Sequence, residues 1–80
     1  MKDASDNKLA FLDLDLRQLA PPEPMMRILE GLAQLPPGKF LVAHTPFYPE
    51  NLLPLIEERG FNWKATREEG TSCRLEISHR

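Results

Sequence analysis

Hydrophobic and polar residues alternate strictly through Phe11-Leu12-Asp13-Leu14-Asp15-Leu16, the period of a strand with one covered face. Leu12, Leu14 and Leu16 are expected to face a core, with Asp13 and Asp15 toward solvent. Aspartate is a weak strand former, so burial of the leucines has to carry this strand. The period then changes. Met25, Ile28, Leu29, Leu32 and Leu35 fall at i, i+3, i+4, i+7 and i+10, one stripe of an amphipathic helix. Arg27, Glu30 and Gln34 take its wet side. Pro21, Pro22 and Pro24 stop the preceding ladder, because proline lacks an N–H. They suit the first turn of a helix, where N–H groups have no partner. Glu23 sits at the positive end of the helix dipole, and Leu35-Pro36-Pro37-Gly38 ends the helix.

A second strand is predicted from Lys39 to His44, with Phe40-Leu41-Val42-Ala43 apolar at every position. Such a strand is central and covered on both sides. Its period does not decide whether His44 faces the helices or the open side of the sheet. Thr45-Pro46-Phe47-Tyr48-Pro49 reads as a loop, with Phe47 and Tyr48 as ordinary loop packing or an aromatic lid. Pro54 is comfortable only in a first turn. That places the next N-cap at Glu50 or Asn51, with Leu52, Leu53, Leu55 and Ile56 apolar and Gly60 just past the helix end. Phe61 to Thr66 and Cys73 to Ser78 alternate again around the polar turn Glu68-Glu69-Gly70-Thr71, an antiparallel hairpin. The predicted fold is an α/β two-layer sandwich in the order β-α-β-α-β-β: a mixed four-stranded sheet with both helices on one face. Leu12, Leu14, Ile28, Leu32, Ile56, Trp63, Leu75 and Ile77 are expected to share the core.

Eighty residues make one domain, here 9–80 behind a polar, frayed tail of residues 1–8. With 41% hydrophobic and 28% charged residues, the chain has a globular rather than a disordered composition. A net charge of −2 and no basic run argue against a nucleic-acid partner. No apolar run reaches the ~18 residues of a membrane helix, and the acidic start has no apolar stretch behind it to form a signal peptide. The one cysteine, Cys73, has no internal disulfide partner, which points to the cytoplasm. A monomer or weak dimer is expected. Glycine-rich phosphate loops, Cys-x-x-Cys, His-Glu-x-x-His and Ser/His/Asp patterns are all absent from the sequence.

The segments Leu12-Asp13-Leu14-Asp15-Leu16-Arg17-Gln18-Leu19, Pro21-Pro22-Glu23-Pro24-Met25-Met26 and Leu35-Pro36-Pro37-Gly38 resemble the opening of TusA/SirA-type sulfur carriers. Those proteins share the β-α-β-α-β-β order and open the first helix with Cys-Pro-x-Pro. The closer resemblance is to a sister family of uncharacterised bacterial domains, domain of unknown function 2249. That likeness is carried by Pro36-Pro37-Gly38, by His44 with a nearby proline, and by the run Leu55 to Trp63, over about residues 9–78. One departure decides the chemistry. Pro22-Glu23-Pro24 supplies Pro-x-Pro, so the carrier cysteine's position falls on Pro21, and proline holds no persulfide. Cys73 has inward parity beside Leu75 and Ile77, where a cysteine is inert packing rather than a nucleophile.

The candidate site residues cluster near the ends of the first two strands. His44 is a candidate metal or haem ligand or acid/base, against a histidine bonded to a loop carbonyl. Met26 could join it, since thioether plus imidazole suits haem or copper; the alternative is packing. Arg17 and Glu23 complete a candidate anion or partner site with His44, the alternative for Arg17 being an ion pair with Asp15 or Glu23. Asp13 and Asp15 share one sheet face and read as solvated, and His79 as part of a disordered tail. The reading that follows is a non-catalytic binding or accessory domain, without a required cofactor, in redox or sulfur-linked physiology. It would contact a protein partner or a small anion. A small metal- or haem-binding protein using His44 is the alternative, and sulfur transfer through Cys73 comes last.

Overall fold

The computed structural model describes residues 9–80, so the expected tail at residues 1–8 lies outside the described residues. Strand β1 spans Leu12–Asp15 and helix α1 spans Glu23–Ala33. They are followed by β2 (Phe40–Thr45), α2 (Leu53–Glu58), β3 (Phe61–Arg67) and β4 (Cys73–His79). The sheet has four strands in the order β1-β2-β4-β3. β1 and β2 are parallel neighbours, and β4 is antiparallel to both β2 and β3.

Register explains which side chains are covered. Leu12 lies beside Leu41 and Leu14 beside Ala43, while Leu41 and Ala43 pair with Ile77 and Leu75. Trp63 and Ala65 continue the same rows on β3. These rows face Ile28, Leu32 and Leu35 of the first helical segment and Leu52, Leu53 and Ile56 of the second. Both helices therefore cover one side of the sheet, as the periodicity predicts. Leu12, Leu14 and Trp63 pack at the rim of this core rather than its centre. β2 is covered on both faces: Val42 is fully buried although it points away from the helices.

The helix ends follow the backbone chemistry. Proline stands in the first turn of each helix, where its missing N–H costs nothing. The second helix starts later than predicted, with Leu52 as its N-cap. Turns in which Glu50 N donates to Tyr48 O and Leu52 N to Pro49 O take up the residues before it. Gly60 has a φ of +88°, the left-handed conformation that ends a helix at low cost. Gly31 is needed for a different reason. A Cβ built there would lie 2.7 Å from Leu41 Cδ1 and 3.2 Å from Leu12 Cδ1, so its bare backbone lets α1 approach the sheet.

His79 departs from the expected disordered tail. It is the last residue of β4, and its Nε2 donates to Leu35 O at 2.7 Å. Its ring also packs on Phe61, with centroids 4.6 Å apart. Since a carbonyl only accepts, Nε2 carries the proton in this bond. The histidine thus satisfies a carbonyl just beyond the C-terminus of α1.

Candidate functional site

The parity of β2 settles where His44 points. Leu41 and Ala43 face the helices, so His44 lies on the open side, in register with Asp15 and Arg74. Its side chain is only 15% exposed, and two carboxylates contact its ring nitrogens. Asp13 Oδ1 is 3.4 Å from Nε2, and both oxygens of Glu68 are 3.1 Å from Nδ1. A neutral imidazole donates from one nitrogen only, so the two acids compete for its proton unless it carries a second. The histidine is therefore bonded to carboxylates rather than to a loop carbonyl, and Asp13 is engaged rather than merely solvated.

Asp15 has its own partner on the same face. Arg17 donates to it in a fork, with Nε to Oδ1 and Nη2 to Oδ2 both at 2.8 Å. This hydrogen-bonded guanidinium holds the Asp15 carboxyl well below the usual carboxylate range. The same bond raises the pKa of Arg17 above its ordinary value.

The structure does not bring the predicted anion site together. Arg17 and His44 share the open side, but both are engaged with acids. Glu23 belongs to the helical layer, where it lies 3.5 Å from Arg27 one turn along. The start of α1 offers few donors: Glu23 N donates to Ala20 O, Met26 N to Pro22 O, and Pro24 has no N–H. Met26 and His44 are likewise separated, because α1 and the open face lie on opposite sides of the sheet. Asp13 and Glu68 bind opposite ring nitrogens of His44, so the three do not converge on one point. Among the described residues, no three His, Cys, Asp or Glu side chains form a group that could hold a metal ion.

Cys73 is 1% exposed, on the inward row of β4 with Leu75 and Ile77. Burial pushes its thiol pKa up, away from the thiolate that nucleophilic sulfur chemistry requires.

A concave feature lies elsewhere. A groove of about 400 Å³ runs between Pro21, Pro22, Pro24 and Met25 on one side and the segment from Phe47 to Leu52 on the other. Of the two readings of Phe47 and Tyr48, full loop packing does not hold: they are 46% and 40% exposed. Their backbone is nonetheless pinned from beneath. Thr45 Oγ1 donates to Phe47 O at 2.8 Å, and Thr71 Oγ1, from the β3–β4 turn, donates to Pro46 O at 2.7 Å. The loop is held while its aromatic side chains keep about half their surface open along the groove. This groove was not apparent in the sequence because Thr71 and Pro46 are far apart along the chain, although an aromatic pair flanked by prolines was a usable local signal.

The fold is that of a small α/β domain with a SirA-like architecture. A crystal structure of a SirA-like protein from Desulfitobacterium hafniense superposes with a TM-score of 0.73 at 18% identity, covering 84% of this chain and 95% of that one. At that identity the likeness establishes the fold alone. The chain belongs to the family of uncharacterized conserved proteins DUF2249, which it matches over residues 13–79. No curated protein matches the sequence. Among the described residues, no helix is long and apolar enough to cross a membrane.

Proposed function

We propose that this domain is a non-catalytic accessory module that docks a partner protein in the groove between the start of α1 and the β2–α2 loop. The observation that carries this reading is the pinned loop with exposed Phe47 and Tyr48 facing a proline wall. Exposed aromatic side chains on a held backbone lose little entropy on binding, which is what a docking surface needs. The buried Cys73 and the proline at position 21 fit an accessory role better than sulfur transfer. A setting in sulfur- or redox-linked physiology rests on the sequence resemblance of residues 12–26 to the opening of TusA/SirA-type sulfur carriers. A lone buried thiol suits the reducing cytoplasm.

The test is a photo-cross-linking amino acid placed at Tyr48, with Lys64 on the open face as control. A partner captured at Tyr48 and not at Lys64 is then purified. Its affinity should fall about tenfold or more in Tyr48→Ala, as for a buried aromatic anchor. Equal capture at both positions, or unchanged affinity in Tyr48→Ala, would overturn the reading.

A further inference from the structure

The docking reading leaves open what kind of segment enters the groove, and the lining chemistry narrows it. The walls are Pro21, Pro22, Pro24 and Pro49 with Met25, Phe47, Tyr48 and Leu52. The four prolines supply no N–H, while Glu50 N and Leu52 N are already bonded within the loop. A ligand that needs a main-chain ladder therefore finds few donors here. A polyproline II segment needs no ladder: its carbonyls accept from isolated side-chain donors, here the Asn51 amide and the Tyr48 hydroxyl lining the groove, and it offers ring faces to aromatic side chains. The charge is one-sided as well. Glu50 is the single ionised side chain lining the groove, it is exposed, and no cation accompanies it.

We propose that the groove receives an extended, proline-containing segment of a partner protein that carries an arginine, the arginine meeting Glu50 and the face of Tyr48 or Phe47. This rests on the docking reading above. Arginine suits the position better than lysine because its planar guanidinium both stacks on an aromatic ring and pairs with a carboxylate. An acidic or phosphorylated segment would meet Glu50 with like charge and without basic side chains to receive it.

The test is an NMR titration of the full chain, labelled with nitrogen-15, against three synthetic peptides: a proline-rich peptide with a central arginine, the same peptide with glutamate there, and a glycine-for-proline version of the first. The arginine peptide should give saturable shifts at Met25, Phe47, Tyr48 and Glu50. Its affinity should fall about twofold to fivefold in Glu50→Gln, the loss of one exposed ion pair, a change at an exposed position that leaves the rest of the spectrum in place. The other two peptides should bind more weakly. Equal binding of the arginine and glutamate peptides, or an unchanged affinity in Glu50→Gln, overturns the cation preference and leaves the docking reading standing. Equal binding of the glycine version overturns the polyproline component. If none of the three moves the groove resonances, the proposed segment is wrong, whereas the docking reading falls only on its own cross-linking test.

Discussion

Glu68 reaches from the β3–β4 turn to His44, with both carboxylate oxygens 3.1 Å from Nδ1, 24 residues away in sequence. Asp13 closes the other ring nitrogen at 3.4 Å. The same turn sends Thr71 Oγ1 to Pro46 O, so the hairpin end touches both the open face and the base of the aromatic loop. The open face and the groove are thus joined through one short turn.

That bond should be measurable as a coupling rather than as a large loss. A double-mutant cycle on His44→Ala and Glu68→Ala, read by urea unfolding, should return a coupling of about 0.5–1 kcal/mol. The pair is partly exposed, which keeps the value small. A coupling near zero would mean that the contact is not maintained in solution.

The core makes a stronger demand. Leu32 is 3% exposed between α1 and the sheet, so Leu32→Ala should cost about 2–5 kcal/mol. Gly31→Val should cost about 1–3 kcal/mol through overpacking, because even one Cβ falls 2.7 Å from Leu41 Cδ1. Chemical unfolding of both variants checks this. A neutral Gly31→Val would show that α1 stands farther from β2.

The alternation of Leu12, Leu14 and Leu16, the helical stripe of Ile28 and Leu32, and the polar turn at Glu68 to Thr71 made the element order readable before any coordinates. β2 was different. Leu41, Val42 and Ala43 are all apolar and all buried, so no period distinguishes its faces. Only the register of Leu41 with Leu12 and Ile77 turns His44 outward. The partners of His44 and His79 were hidden for a related reason. Glu68, Leu35 and Phe61 are brought to them by sheet and layer contacts, which sequence spacing does not encode. Phe47 and Tyr48 misled because apolar loop residues ordinarily turn inward. Here the hydroxyls of Thr45 and Thr71 hold the backbone instead, and the rings stay about half exposed.

Asp15 predicts part of the acid response. Its folded pKa is depressed by the Arg17 fork, so its unfolded form takes up a proton first as pH falls. The contribution is present above the unfolded carboxylate value of about 4 and is lost as pH falls from there through the depressed folded value. Asp15→Asn should therefore flatten the acid limb of the stability–pH curve below about pH 4. Unfolding midpoints measured from pH 2 to pH 6 test it. An Asp15→Asn profile parallel to the wild type would show that the fork does not persist in solution.

Cys73 bears on function and on alkaline stability together. The folded environment raises its pKa above the ordinary thiol value of 9.0, chiefly by burial. The unfolded thiol therefore ionises first, and stability should fall as pH rises through about 9 toward the folded value. Cys73→Ala should lessen that slope. The same burial should protect the thiol from iodoacetamide at pH 8 in the native state, with full labelling in urea. It should also block uptake of persulfide sulfur: incubation with a cysteine desulfurase and labelled cysteine should leave the intact mass unchanged, because Pro21 offers no acceptor and Cys73 is 1% exposed. A gain of one sulfur atom that disappears in Cys73→Ser would instead mean that β4 opens at its Cys73 end. Native-state alkylation would then proceed on the same timescale, and sulfur transfer would replace docking as the activity to pursue.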